Sequence, residues 1–242
     1  MKRLLDILLS LVGLVLASPV LLPVMFLIWW QDKHSPFYVA PRVGMGERPF
    51  RMVKLRSMII NADKSGVDST SSSDRRITPV GQFVRRYKLD ELTQLWNVLK
   101  GDMSLVGPRP NVERETRMYT PMEKKLLGVR PGITDYASIV FSDEGEILRD
   151  KADPDIAYNQ LIRPYKGVLG LFYIEHSSWL LDLKLIYLTA IAVFSRDNAL
   201  RGVVRDLQRR GAPPEVLAVA ARVAPLVPAP PPGATQIVTE RY

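Results

Sequence analysis

The sequence predicts an α+β protein, mostly helical, with an N-terminal re-entrant membrane helix, a small β-hairpin region and a compact cytosolic domain carrying interfacial amphipathic helices. Three observations lead there. An uncharged run reaches from Ile7 to Trp30. Leu89, Leu92, Leu95, Trp96 and Leu99 recur at helical spacing. Two short extended stretches, Phe37–Val39 and Phe50–Val53, flank a turn rich in glycine and proline.

At about 1.5 Å per residue, the N-terminal run is long enough to cross a hydrocarbon core of about 30 Å. A cleaved leader fits poorly, because Ala17 and Ser18 are followed at once by Pro19. A single span remains compatible with the length, but two features favour a helix that enters and leaves on one face. Proline at Ser18-Pro19 removes a hydrogen bond near the middle, and Pro23 adds a second break. Basic residues flank both ends, with Lys2 and Arg3 before the run and Lys33, Arg42, Arg48 and Arg51 after it, so the positive-inside tendency places both flanks in the cytoplasm.

Residues 61–75 read as a polar, mobile loop. Thr78-Pro79 has the form of a helix start. In the segment after it, Asp90, Glu91, Gln94 and Asn97 fall opposite the apolar stripe, and Gly101 marks a stop. Trp179–Phe194 is short for a span and suits a helix at the membrane interface or in the core. After Gly211 the Ala/Pro/Val composition predicts a short helix and a loose tail. The expected division is therefore a membrane helix over 1–32, a catalytic domain over 33–200 and a C-terminal helix and tail over 201–242.

Composition narrows the chemistry. The 242 residues carry a net charge of +8, which suits phosphorylated substrates, anionic headgroups or nucleic acid without choosing among them. Absent cysteine excludes disulfides and thiolate chemistry, and His34 and His176 alone cannot make a histidine-rich metal site. Aromatic residues do not interleave with basic ones in a nucleic-acid-binding pattern.

Arg75, Arg76, Arg85, Arg86 and Lys88 precede the Asp90-Glu91 pair, and Lys100 and Arg109 follow it. Adjacent carboxylates among cations suit phosphoryl transfer, because carboxylates can hold a divalent ion or attack phosphorus while cations neutralise phosphate oxygens. By residue type alone, a solvated helix face with ordinary ion pairs is the more economical account.

The blocks Asp74-Arg75-Arg76-Ile77-Thr78-Pro79-Val80-Gly81 and Leu89-Asp90-Glu91-Leu92 through Gly107-Pro108-Arg109-Pro110 change that balance. With Ser18-Pro19, Lys54–Met58 and Arg130–Thr134, they make the chain resemble the bacterial sugar transferase family, the monotopic phosphoglycosyl transferases, from Lys2 to about Phe194. The resemblance implies a re-entrant helix bent at Ser18-Pro19 at the bacterial inner membrane, with the catalytic domain on the cytosolic face. It implies transfer of a sugar 1-phosphate from a UDP-sugar to polyprenyl (undecaprenyl) phosphate, through an acyl phosphate on Asp90 with release of UMP. It further implies magnesium held by Glu91, with Asp90, and phosphate or nucleotide contacts from Lys54, Arg56, Arg85 and Arg109. Tyr173 and Trp179–Phe194 resemble a later motif expected to seat the domain on membrane lipid. A homodimer is compatible with it, and no nucleic-acid partner is expected.

Thr93 stands where proline is common in the family, Asp135-Tyr136-Ala137-Ser138 stands where Gly-Trp-Ala-Gln is common, and the Gly44–Phe50 turn lacks the family's second glycine at its usual place. A minimal form, without a large multi-span domain before the catalytic region, is expected, and the tail after about Arg201 lies outside the resemblance. Two other accounts compete. A non-enzymatic membrane-tethered adaptor binding anionic lipid or nucleic acid would tolerate Asp90→Asn, and direct transfer in a ternary complex would make Asp90 a general base.

Overall fold

Ile7–Trp30 forms the central part of one long helix, α1 (Lys2–Asp32), in the computed structural model, which describes residues 1–65 and 69–240. Gly66, Val67 and Asp68 of the expected polar loop lie outside the described residues. Within α1, Pro19 has no N–H to offer the Val15 carbonyl, and the Ser18 hydroxyl donates to that oxygen instead, at 2.8 Å. The buried positions Asp6, Ser10, Leu21, Val24 and Ile28 follow one face, while Val15, Leu16 and Leu22 are among the most exposed. The helix thus lies along the domain and turns an apolar face outward.

Both ends of α1 are tied to that domain. Lys2 Nζ donates to the Val106 carbonyl at 2.9 Å and pairs with Asp182 at 2.5 Å. Arg3 Nη2 donates to the Leu99 carbonyl at 2.8 Å, and buried Asp6 accepts from the Leu105 N–H at 3.0 Å. At the other end, Arg56 donates to both Asp32 oxygens, at 2.5 and 2.7 Å.

Strands β1 (Phe37–Val43) and β2 (Pro49–Leu55) form the expected antiparallel hairpin, with Phe37 opposite Leu55 and Val43 opposite Pro49. Its turn needs left-handed backbone, and Gly46 supplies it with φ of 68°. α2 (Pro79–Arg86) begins as expected, with the Thr78 hydroxyl accepting from the Gly81 N–H at 3.0 Å.

The Leu89–Leu99 stretch departs from the expectation of one apolar stripe. It breaks into α3 (Leu89–Leu92) and α4 (Leu95–Lys100). Trp96 is 54% exposed, whereas Gln94 and Asn97 are fully buried. For Asn97 the reason is in its hydrogen bonds, whereas the Gln94 amide has no partner among the described residues. Asn97 accepts from the Val53 N–H at 2.9 Å and donates to the Arg51 carbonyl at 2.7 Å, capping the free edge of β2 that no third strand pairs. Gly101 then stops α4 in the left-handed region, as expected.

β3 (Ser104–Val106) pairs in parallel with β4 (Gly132–Thr134), with α5 (Glu113–Thr116) between them. Helices α6 (Tyr136–Val140), α7 (Glu144–Ile147), α8 (Pro154–Leu161), α9 (Arg163–Glu175), α10 (Trp179–Phe194) and α11 (Arg196–Arg209) follow, then α12 (Pro214–Ala221). The main core gathers Met103, Tyr136, Leu169, Leu181, Leu185 and Leu207. A smaller cluster lies under α1, where Leu21, Val24 and Ile28 meet Leu55, Val84 and Leu89.

α10 is two-faced. Leu181, Leu185 and Leu188 are buried, and Leu180, Tyr187 and Phe194 are exposed. Tyr173 is not at the surface as a membrane-seating role requires. It is 3% exposed and donates to Asp182 at 2.7 Å, closing the Lys2 network. The C-terminal part also differs from a loose tail. α11 runs through position 201 and buries Leu200, Val203 and Leu207 in the main core. Beyond α12 the chain stays docked, since Ala229 donates to the Gln160 carbonyl at 3.1 Å and Tyr165 to the Val227 carbonyl at 2.7 Å.

Candidate active site around Asp90 and Glu91

Close backbone approaches build the frame that converges on Asp90. A Cβ on Gly81 would lie 1.9 Å from the Ser57 carbonyl oxygen, so only glycine lets α2 pack there. That contact brings Arg85, in the last turn of α2, to the Ser57 hydroxyl at 2.9 Å. Lys88 takes the left-handed region with φ of 55°, turning the chain so that Asp90 and Glu91 open α3. The Thr93 hydroxyl reaches the Asp90 carbonyl at 3.1 Å and the Val53 carbonyl at 3.2 Å, bridging α3 to the strand that carries Lys54. Gly107 and Gly132 cross so tightly that a Cβ on Gly132 would sit 2.1 Å from the Gly107 nitrogen. This crossing directs the chain after β3 so that Arg109 meets Glu91, Nη1 to Oε1 at 3.0 Å.

The two carboxylates are in different electrostatic states. Burial, helped by Glu91, pushes the Asp90 carboxyl above its ordinary range against Lys54, Arg109 and Arg85. Burial would raise Glu91 as well, but Arg109, Lys88 and Lys54 outweigh it and hold Glu91 low. Burial, then Arg109, pull the Lys54 ammonium down to about 8. Glu91 drives Arg109 further up, so it stays a cation. Among the described residues, neither the Asp90 carboxylate nor the Lys54 ammonium has a hydrogen bond or ion pair. Arg109 engages one Glu91 oxygen, Oε1, and Asp90 is free.

Of the residues expected at the site, Asp90, Glu91, Lys54, Arg85 and Arg109 are brought together. Arg56 is not among them. Its side chain is 9% exposed and its nitrogens are engaged by Asp32, by the Ser35 carbonyl at 2.9 Å and by the Ile28 carbonyl at 3.4 Å. Ser18 and Pro19 sit in the middle of α1, where they serve the helix. Two residues escaped sequence reading. Glu144 on α7 and Lys166 on α9 pair with each other, and both act on Arg109 or its surroundings. They lie far downstream of the dyad, with no local spacing to reveal them. Arg109 and Lys166 also line a cavity of about 40 Å³ with Asn111, Asp135, Ser138 and Tyr158.

Among the described residues no group of three or more His, Cys, Asp or Glu side chains could hold a metal. Asp90 and the unpaired oxygen of Glu91 are two carboxylate donors, the type a hard divalent cation takes.

Comparison with known proteins adds a wider frame. The family described as bacterial sugar transferase matches residues 1–196. A Bacillus subtilis (strain 168) protein, provisionally named an undecaprenyl-phosphate N-acetylgalactosaminyl 1-phosphate transferase, is 47% identical over 55% of this chain and 70% of its own. An Aeromonas hydrophila protein named UDP-N-acetylgalactosamine-undecaprenyl-phosphate N-acetylgalactosaminephosphotransferase is 36% identical over 71% of this chain and 42% of its own. A Klebsiella pneumoniae protein named UDP-glucose:undecaprenyl-phosphate glucose-1-phosphate transferase is 35% identical over 82% of this chain. The chain spans 41% of that last relative's length.

Proposed function

The chain belongs to the bacterial sugar transferase family, and from that premise we propose that it moves a sugar 1-phosphate from a UDP-sugar to undecaprenyl phosphate, releasing UMP. The observation that carries this reading is the free Asp90 carboxylate facing Lys54, Arg85 and Arg109 beside a Glu91 that Arg109 already engages. Lys54 is a half-buried cation with no direct partner among the described residues, which a phosphate oxygen of the donor would complete, and Asp90 beside it is the unpaired carboxylate placed to attack.

In the first step an Asp90 oxygen attacks the sugar-linked phosphorus, and the bond from that phosphorus to the UMP oxygen breaks. Asp90 then holds the sugar phosphate as an acyl phosphate. In the second step an oxygen of the lipid phosphate attacks the same phosphorus and the bond to Asp90 breaks, restoring the carboxylate. The raised basicity of Asp90 supports its assignment as nucleophile over Glu91, whose charge is committed. Lys54, Arg85 and Arg109 neutralise the oxygens of the transferring and leaving phosphates. Magnesium held by Glu91 and Asp90 would neutralise phosphate charge there.

The same reading places the protein at the inner membrane with its catalytic domain cytosolic. α1 has a mean hydropathy of 2.6 over its most apolar window, with 17% of that window buried. Its two ends bond to the same domain, which supports a helix entering and leaving on one face. The exposed apolar faces of α1 and α10 form the lipid-facing surface in this arrangement. Relatives named for N-acetylgalactosamine and for glucose leave both donor classes to be tested.

UMP release from a UDP-sugar panel, with magnesium and undecaprenyl phosphate, tests the reading. Asp90→Asn is expected to lower the rate by about 10⁴-fold. Full retention of activity in that variant, or no UMP from any donor, contradicts it.

A further inference from the structure

The Glu144–Lys166 pair is gripped on both partners by the C-terminal segment. On the Glu144 side, the preceding Asp143 pairs with Arg222 at 3.0 Å and with Arg196 at 3.1 Å. Arg222 follows α12, its side chain is 11% exposed, and its guanidinium lies 5.2 Å from the Phe141 ring. The Asp143 carbonyl accepts from the Glu146 N–H at 2.8 Å, so fixing Asp143 fixes the start of α7 and the direction of Glu144. On the Lys166 side, both sequence neighbours touch the tail. Tyr165 donates to the Val227 carbonyl at 2.7 Å, and a Cβ on Gly167 would meet Pro232 at 2.8 Å.

The pair itself faces the site. Lys166 Nζ donates to Glu144, and the Glu144 charge acts on Arg109, Lys88 and Arg85. Lys166 and Arg109 line the same cavity. Arg109 is therefore paired with Glu91 and also lies within the field of the Glu144 charge. Residues 197–242, which include Arg222, Val227 and Pro232, fall outside the family match.

We propose that Glu144 and Lys166 are positioning residues that orient Arg109 toward the donor, and that the C-terminal segment sets their geometry through Arg222–Asp143 and the Val227–Pro232 strap. This inference rests on the transferase reading for its consequence in catalysis. Losing the Arg222 contact frees α7 to shift, Glu144 releases Lys166, and Arg109 loses one of the two acids that orient it. Donor binding then weakens while the Asp90 chemistry remains.

The test uses the full-length, detergent-solubilised protein with Glu144→Gln, Arg222→Ala and Arg222→Lys. Steady-state UMP release gives KM and kcat for the donor, a thermal melt reports folding, and acetic anhydride labelling read by peptide mass spectrometry reports the freedom of Lys166. Glu144→Gln is expected to raise donor KM about tenfold, and Arg222→Ala about threefold, with kcat within about twofold. Lys166 labelling is expected to rise severalfold in both, and Arg222→Lys to return KM and labelling to near the parent values. Unchanged Lys166 labelling in Arg222→Ala, or a lowered melting temperature with no change in KM, overturns the proposal. If the parent protein releases no UMP, the transferase reading fails, and the labelling still decides whether the C-terminal segment positions Lys166.

Discussion

Asp90 and Glu91 are neighbours with the same functional group, yet their surroundings give them opposite tasks. Arg109 at 3.0 Å commits Glu91 to charge compensation, and burial leaves Asp90 the more basic and unpartnered of the two. Two pH limbs follow for kcat/KM, which reports the free enzyme. The acid limb belongs to Asp90 and lies above the ordinary carboxylate range. The alkaline limb belongs to Lys54, whose folded value is lowered to about 8, so its charge is present below that pH and lost above it. Activity should fall as pH climbs through about 8, and Lys54→Arg should move that limb upward because guanidinium stays protonated. A pH–rate profile from pH 5 to 10 checks this, and an alkaline limb unmoved by Lys54→Arg would remove Lys54 from the site. Arg85 and Arg109 were legible because they lie near the dyad in the sequence, whereas Lys54 and Arg56 were named only through the resemblance. The structure folds Arg56 against the Asp32 carboxylate and away from the dyad, a pairing across 24 residues that no local pattern reveals.

At the scale of elements, polar side chains decide where apolar periodicity misleads. Asn97 looks like the outer face of a helix, but the unpaired edge of β2 needs a donor and an acceptor, and Asn97 supplies both. Asn97→Leu leaves the Val53 N–H and the Arg51 carbonyl unsatisfied, at about 1–3 kcal/mol each, so chemical denaturation should show a loss of a few kcal/mol. Arg163 and Glu123 form the most buried ion pair described, with side chains 5% and 1% exposed. Glu123→Gln should cost about 3–5 kcal/mol, because it strands the arginine charge. The hairpin, the Thr78 cap and the Gly101 stop were readable because each rests on local backbone chemistry. Glu144, Lys166 and the docking of the tail were not readable, because their partners come from distant parts of the chain.

For the whole molecule, the arrangement of α1 sets where the chemistry happens. Its ends bond to β3, α4, α10 and the loop after β2, and its most exposed apolar residues lie between them. Both flanks are therefore expected on one side of the membrane. The chain has no cysteine, so a single cysteine appended before Met1 or placed at Ser35 reports cleanly. A membrane-impermeant maleimide should label both from the cytosolic side of inner-membrane vesicles, and labelling from opposite sides would make α1 a span. The central claim, that Asp90 carries the sugar phosphate, is tested most directly by intact mass of the solubilised protein after incubation with a UDP-sugar panel and magnesium, without lipid. The account predicts an added sugar phosphate that is absent in Asp90→Asn and discharged by undecaprenyl phosphate. No adduct from a donor that still yields UMP once lipid is added would contradict it and point to direct transfer.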